Sequence, residues 1–414
     1  MVKRRRLDFS YDAVLCETCT SVDHLCALYP HKRDKDCYLV EKTHEYFVKG
    51  QLYERTVSSV WSAFFEQFNA AEVSSACVAK AQCRGLVNAA SSVYNWSAYE
   101  TLVNRLPQDK LKNRFAELVK TCDGEEELWS AYEALSVTKP NGASCYYLMV
   151  HAGAGAQEIQ DTWSCNGRVE AFKGTFLHKQ IELVLQKLGE LQWLSGRRRA
   201  PVSSFLGESE VLAALKDAAA PWKVMSSLVR QIELDLWDHP TVQSFLHSTD
   251  CGTNGFNKFW SWLQAHGSWS PYRAEYSIYD ENEQIAGTVD SLWFDESGRI
   301  VMVDWKRCRQ MLTGDLSEQS QQVFNGKRGL VSCRNSSLPG PCRDFFDVSY
   351  NHYLAQQTLY VHILNSRYGC NVARILLVQC HPEVSDDYHE VELTYDSTFA
   401  HEMLQACRHG WCAS

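Results

Sequence analysis

The stretch that most limits how this chain can fold runs from Ile285 to Arg307. It reads Ile-Ala-Gly-Thr-Val-Asp-Ser-Leu-Trp-Phe, then Asp-Glu-Ser-Gly, then Arg-Ile-Val-Met-Val-Asp-Trp-Lys-Arg. β-Branched and aromatic residues flank a polar, glycine-containing middle, which is the composition of a β-hairpin. With the turn centred near Glu296 and Ser297, Asp290 falls opposite Val303, so its carboxylate lies about one residue from Asp304 across the ladder. Lys306 follows Asp304 at the next like-facing position, so both project from the same side of the strand. Packing gives no reason for two acids and a lysine in an apolar hairpin. Two acids so placed make a hard-oxygen site for Mg²⁺ or Mn²⁺, and a nearby ammonium can stabilise charge developing on a phosphorane. Taken alone, Asp-x-Lys reads more simply as a solvent-facing charged edge. Gly287-x-x-Asp290, the apolar strand around it and the rest of the chain weigh against that.

At 414 residues the chain can bury a sizeable core, as one large domain with an extension or as two domains. An apolar content of 45% is that of a globular protein. There is no run of about twenty uncharged apolar residues, so neither a transmembrane span nor a membrane partner is expected. The basic run Lys3–Arg6 precedes polar residues and not an apolar segment, so it is no secretory signal. It reads as a nuclear address, a phosphate-contacting arm or a solvated tail. A net charge of −9 excludes the global signature of a nucleic-acid coat protein but leaves room for a local basic groove. The 17 cysteines, with no secretion signal, are expected as reduced thiols.

Along the chain, Cys16, Cys19, His24, Cys26, His31 and Cys37 form the one metal-like cluster. A Cys-x-x-Cys knuckle with further Cys and His could hold structural Zn²⁺, but the spacing fits no well-defined finger, and ordinary thiols are the preferred reading. Tyr46–Val48 before Gly50 suggests a short strand and turn, and Val57 to Phe68 an amphipathic helix of the core. Residues 73–135 read as mostly helical, Pro140–Gly142 as a turn, and His151–Ala156 as a small-residue loop lacking the Lys-Ser/Thr of a phosphate loop.

Gly174 to Leu185 reads as a helix with Gly174 and Thr175 near its start. It stacks His178 and Glu182 on one face, where an imidazole and a carboxylate can add a metal ligand and a water-orienting group. A surface His–Glu pair is the competing reading. Residues 192–245 look like a helical insertion, with Arg197–Arg199 more simply solvated than bound to phosphate. Phe256, Phe259, Trp260, Trp262 and Trp269 read as core before base stacking. Arg273–Tyr279 is a strand leading through the turn Asp280–Glu283 into the hairpin. Residues 309–348 are loop-like, Tyr350–Leu364 a helix with Gln356 and Tyr360 on one face, Val372–Val378 a strand, and Phe399–Ala406 a closing helix.

In order, Gly174-x-x-x-His178-x-x-x-Glu182, Gly287-x-x-Asp290, Asp304-x-Lys306 and Gln356-x-x-x-Tyr360 resemble the motif series of the PD-(D/E)XK nuclease superfamily, in the branch of RecB-type and lambda-exonuclease-like enzymes. Each motif is short, and their order with a strand-turn-strand between the two acids carries the likeness. It covers roughly 160–390. More loosely, His44-Glu45-Tyr46-Phe47-Val48-Lys49-Gly50 and Val57–Val60 through Phe68 are similar to large-virus and mobile-element nucleases of this type. Inserts at about 75–160 and 192–250, and the N-terminal Cys/His region, depart from the pattern and bear on substrate choice more than on chemistry.

The resemblance implies an α/β fold: a central mixed β-sheet flanked by helices, with a restriction-endonuclease-like core over 161–395. A mostly helical N-terminal region (1–160), a helical insertion at about 192–250 and a C-terminal helix and tail (396–414) would surround it. Asp290 and Asp304 would be the main Mg²⁺ or Mn²⁺ ligands, with the carbonyl of Trp305 and the imidazole of His178 as further ones. Glu182 would bind through water or orient the attacking water, Lys306 would position water or stabilise charge, and Gln356 and Tyr360 would contact DNA or brace the site. The reaction implied is phosphodiester hydrolysis on DNA, exonuclease-like. A catalytically inactive DNA-binding scaffold and an RNA-directed nuclease are the competing readings.

Overall fold

The structure, a computed structural model, describes residues 23–40, 43–65, 67–75, 155–229, 234–247, 253–309, 340–345, 347–384 and 387–409. Outside them lie the Lys3–Arg6 run, Cys16, Cys19, the sequence expected to be helical beyond Ser75, the Pro140–Gly142 turn, most of the 151–156 loop and most of the 309–348 loop. The chain divides into two units, Met1–Gln67 with Val169–Ser414, and Phe68–Arg168. In the second, Phe68 meets Trp163 edge-on at 5.4 Å, and Gln160 donates to the Ser74 hydroxyl. The hairpin and its acids belong to the first.

In the first unit, β1 (Cys37–Val40), β2 (Glu45–Val48) and β3 (Gln51–Tyr53) form an antiparallel sheet. A six-stranded mixed sheet contains β4 (Arg55–Thr56), β5 (Ser270–Asp280), β6 (Ile285–Phe294), β7 (Ile300–Lys306), β8 (Val372–Gln379) and β9 (His389–Leu393). The helices are α1 (His24–Leu28), α2 (Val57–Ser62), α3 (Ala156–Ser195), α4 (Ser203–Leu206), α5 (Ser209–Ala218), α6 (Pro221–Leu228), α7 (Leu234–Trp237), α8 (Pro240–His247), α9 (Thr253–Ala265), α10 (Ser349–Ile363), which runs on into a π-helical turn at Leu364–Tyr368, and α11 (Ser397–Arg408). Among the described residues, no helix is long and apolar enough to cross a membrane.

The sheet is covered on both faces because its strands are apolar on both. Val301, Val303 and Trp305 of β7, with Leu376 and Val378 of β8, pack against Leu177, Ile181 and Val184 of α3 and Phe259, Trp262 and Leu263 of α9. Their neighbours Met302, Ile375 and Leu377 face the other way, onto Leu359 and Val361 of α10 and Met403 of α11. This alternation is the period-two geometry of a strand, and continuous apolar runs are what strands buried on both faces require. The aromatic stretch at 256–269 is therefore core, with Trp262 edge-on to Trp305 at 4.8 Å and to Trp293 at 5.2 Å. The insertion helices α6, α7 and α8 cover a further face of α3 through Val169, Phe172 and Phe176.

Three expectations are corrected. Residues 23–67 group with the sheet and not with a separate helical N-terminal region. Their strands are only two to four residues long, too short to register as a pattern, and they are held by long-range contacts. The buried Arg273, for example, donates to the carbonyls of Leu25 and Tyr29, while Tyr276 and Tyr279 donate to Asp34 and Asp36. The helix expected from Val57 to Phe68 ends at Ser62, having begun at a Thr56/Ser59 capping box. Gly174 does not start a helix but lies inside α3, whose length absorbs the cost of about 1 kcal/mol for an internal glycine.

One register correction bears directly on the site. The loop between β6 and β7 spans Glu296–Gly298: Asp295 and Arg299 close it by a backbone bond, Asp295 Oδ1 accepts from the N–H groups of Ser297 and Arg299, and Gly298 takes φ +75°. This is a three-residue hairpin with its last residue left-handed. The centre moves by half a residue, so Ser291, not Asp290, faces Val303. One step further, where the ladder ends, Asp290 comes level with Asp304.

Candidate metal centre

β5 pairs with β6 along its whole length, so β4 and β7 must share the other edge of β6, at Ile285–Ala286 and Ser291–Phe294 respectively. Between them, from Gly287 to Asp290, that edge has no strand partner among the described residues. A methyl group at Gly287 would lie 2.7 Å from Tyr360 Cε1 and 3.1 Å from Val57 Cγ2, so glycine is required there by the close approach of α10 and α2. Asp290 completes the ladder with its side chain, its Oδ2 accepting the Trp305 N–H at 2.8 Å.

α3 brings His178 against this gap. Its Nε2 is 2.8 Å from the carbonyl oxygen of Trp305, and since a carbonyl only accepts, Nε2 carries the proton. Nδ1 faces two carboxylates, Asp290 Oδ2 and Glu275 Oε1, each at 3.7 Å. Glu275 comes from β5, where the register of its neighbours sets it opposite Asp290. Its backbone has φ +43°, an uncommon conformation for a residue within a strand. Ligand atoms of His178, Glu275 and Asp290 all lie within 4.8 Å of one another, the one such group among the described residues.

The second set faces α10. Lys306 Nζ is 2.6 Å from Asp304 Oδ2, and Gln357 Nε2 donates to Asp304 Oδ1 at 2.7 Å. The Lys306 ammonium also lies 4.6 Å from the centre of the Tyr353 ring. Burial raises the Asp304 carboxyl to about 6 against the opposing pull of Lys306. Burial likewise raises Asp290, partly offset by His178. Burial disfavours the charged forms of His178 and Lys306, but their acidic neighbours outweigh it: Asp290 and Glu275 lift His178 to about 9, and Asp304 and Asp290 hold Lys306 above its ordinary value.

The sequence-predicted residues are thus divided. His178, Asp290, Asp304, Trp305 and Lys306 meet around the splayed end of β6 and β7. Glu182 forms a 2.5 Å ion pair with Lys179 on its own helix and lies outside the His178 group. Gln356 meets Gln357 at 3.4 Å, and it is Gln357 that reaches the acid. Tyr360 is buried against β6, where it braces the strand. Glu275 was missed, because it is the observed pairing of Asp280 with Ile285, and not a turn over Asp280–Glu283, that sets it opposite Asp290. Gln357 had no such signal, because one-residue differences in helical phase are invisible in a helix with apolar residues all round. Of the N-terminal cluster, His24, Cys26, His31 and Cys37 form no metal-holding group among the described residues.

The donor set fits a hard divalent cation. Glu275, Asp290 and Asp304 gather three carboxyl groups around one ammonium and one imidazole, an excess of acid that a divalent ion would offset on displacing the imidazole proton. His178, Glu275 and Asp290, with the Trp305 carbonyl beside them, offer the mixed imidazole and oxygen donors that Mg²⁺ or Mn²⁺ accepts. No protein-family model, no curated protein and no solved structure matches this chain.

Proposed function

We propose that the chain is a divalent-metal-dependent nuclease with a restriction-endonuclease-like core, hydrolysing phosphodiester bonds of DNA in an exonuclease-like manner. The observation that carries this reading is the paired arrangement at the end of the β6–β7 ladder, where a His–Glu–Asp group stands beside a buried Asp–Lys pair. Asp290, Glu275 and His178 would hold Mg²⁺ or Mn²⁺. The bound ion supplies charge neutralisation at the scissile phosphate and a water of lowered pKa. Lys306, protonated and fixed by Asp304, presents its ammonium where negative charge grows in the transition state. Gln357 locks the Asp304 carboxylate, and the Trp305 N–H locks Asp290, so neither acid has to reorganise during reaction. Tyr360, seated on Gly287, keeps β6 in position.

The test is incubation of the purified protein with end-labelled linear and covalently closed circular DNA, single- and double-stranded, and with RNA, in Mg²⁺, Mn²⁺ or EDTA. The expected result is metal-dependent degradation of linear DNA, abolished by EDTA. Cleavage confined to RNA would change the substrate, and cleavage of closed circles would make the enzyme endonucleolytic. No cleavage with either metal would sink the proposal in favour of a binding scaffold.

A further inference from the structure

Resting on the nuclease reading, we propose that Arg307, Arg309 and His381 form a phosphate-binding subsite that holds the nucleic-acid backbone beside Lys306. Glu170 and Glu383 occupy the two arginines until the nucleic acid displaces them. The arginines follow Lys306 closely along the chain. β8 runs parallel to β7, and the Cys380 N–H donates to the Lys306 carbonyl at 2.8 Å while Gln379 Nε2 donates to the Cys308 carbonyl at 2.7 Å. These bonds carry the pairing past the ends of both strands, so the chain after Lys306 runs beside the turn that His381 opens. Arg309 stands three residues beyond Lys306, on the order of 10 Å of extended chain, which takes it from the scissile phosphate toward a neighbouring one.

The arginines are held but not filled. Among the described residues Arg307 donates only through Nη1, to Glu170 Oε2 at 2.7 Å, and Arg309 only through Nη2, to Glu383. A guanidinium has five N–H donors in a planar fork, so most remain for an acceptor with several oxygens. Arg309 Nε is buried and has no hydrogen-bond partner among the described residues. The covering acids Glu170 and Glu383 keep 45% and 63% of their side-chain exposure, so giving up these ion pairs costs little. Lys173 also pairs with Glu170, which sets three cations against two carboxylates. His381 is buried, and its Nδ1 accepts the Glu383 N–H at 3.1 Å. Burial first, then Arg307 and Arg309, hold its imidazole down to about 4, so at neutral pH it is uncharged and Nε2 carries the proton. That N–H has no partner among the described residues. Two part-used guanidinium forks and a spare imidazole N–H make a donor set that backbone phosphate oxygens satisfy without reading any base.

The experiment is fluorescence anisotropy of labelled single-stranded and duplex DNA over a KCl series in Mg²⁺, on a Lys306→Met background in which cleavage is slowed. It compares that background with Arg307→Gln, Arg309→Gln and Glu383→Gln added singly. Each arginine variant is expected to weaken binding about three- to tenfold and to flatten the slope of log affinity against log salt by about 0.7–0.9. Glu383→Gln is expected to tighten binding about twofold or more, because it frees the Arg309 fork. An unchanged affinity and slope in Arg309→Gln would overturn the subsite. So would Glu383→Gln binding no tighter than the background's, which is the result of a purely structural ion pair, or a background protein that binds no DNA at any salt. Arg309 and Glu383 keep 36% and 63% of their side-chain exposure, so these two variants decide the question even if Arg307→Gln, at 12%, does not fold. Should the variants behave as described while the wild type cleaves no nucleic acid, the nuclease reading falls and the subsite stands. Metal-dependent cleavage by the wild type with unchanged salt slopes in the arginine variants gives the reverse.

Discussion

The two halves of the site use the same kinds of side chain to opposite effect. In the His178–Glu275–Asp290 group the carboxylates stand 3.7 Å from the imidazole, and the side chains keep 28%, 32% and 13% of their exposure. In the Asp304–Lys306 pair the contact is 2.6 Å, Gln357 closes the other oxygen at 2.7 Å, and exposure falls to 5% and 16%. The first group is open, with neither carboxylate within hydrogen-bond distance of the imidazole. The second is closed around the ammonium, while Asp304 Oδ2, ion-paired with Lys306, has no hydrogen-bond partner among the described residues. One end of the fold thus sets a loosely spaced group of donors beside a tight ion pair.

The sharpest way to break this contrast is to remove the charge of the closed pair. Lys306→Met and Asp304→Asn are each expected to lower the cleavage rate by about 10³-fold or more. Rates measured at saturating Mn²⁺ check this, and retained activity in either variant would dissolve the division of labour. Lys306→Met also leaves Asp304 buried without its counter-charge. Since burial already raises that carboxyl to about 6, it should take up a proton in the variant and so limit the loss of stability.

Next in size is the lock on Asp304. Gln357→Leu removes a hydrogen bond to a buried charged oxygen and should cost about 1.5–3 kcal/mol of unfolding free energy. Gln356→Ala, at the neighbouring position that the sequence motif singles out, should change it by less than about 0.5 kcal/mol. Denaturant melts of the two variants side by side decide which glutamine serves the site.

Gly287→Ala probes the open half. The new methyl would meet the Tyr360 ring at 2.7 Å, and the overpacking should cost about 1–3 kcal/mol, read as a lowered melting temperature. Displacing β6 moves Asp290 relative to His178, so Mn²⁺ affinity should fall as well. An alanine variant as stable and as tight-binding as wild type would show that the close approach does not matter.

The smallest expected effect concerns the ion pair that ties α3, carrying His178, to the residue after Lys306. Glu170 accepts from Arg307 at 2.7 Å and pairs with Lys173 at 2.8 Å. Burial opposes ionisation there, but these two cations hold its carboxyl down to about 2. A carboxyl depressed by folding contributes stability that is full above its unfolded value of about 4.3 and fades as pH falls through the folded value. Glu170→Gln should therefore flatten the acid dependence of the melting temperature between about pH 4.5 and 2. Because the pair is half exposed, the change at neutral pH should stay within about 1 kcal/mol.

Much of the architecture was legible in the residues. The hairpin at 285–307, a strand over 273–279, a helix over 174–185, a helix over 350–364 and a strand over 372–378 are all found as elements of those kinds, the first helix far longer than read, because each is long and its pattern local. The strands at 37–56 were legible only at Tyr46–Val48, since segments of two to four residues carry too little pattern and take their place from contacts more than two hundred residues away, such as the bond between Tyr46 and Thr288. The coarse reading of a mixed sheet between helices stands in the structure.

By itself, the sequence determined that Asp290, Asp304 and Lys306 would meet at one end of a hairpin, since alternation and a short loop leave few other places for them. Only the tertiary structure decided how they divide. The loop conformation at Gly298 shifted the register, the local backbone at Glu275 added a third acid, and the phase of α10 chose Gln357 over Gln356. Each of these turns on a single residue of offset between elements distant in the chain. Local pattern does not resolve such an offset, because it depends on how whole faces pack.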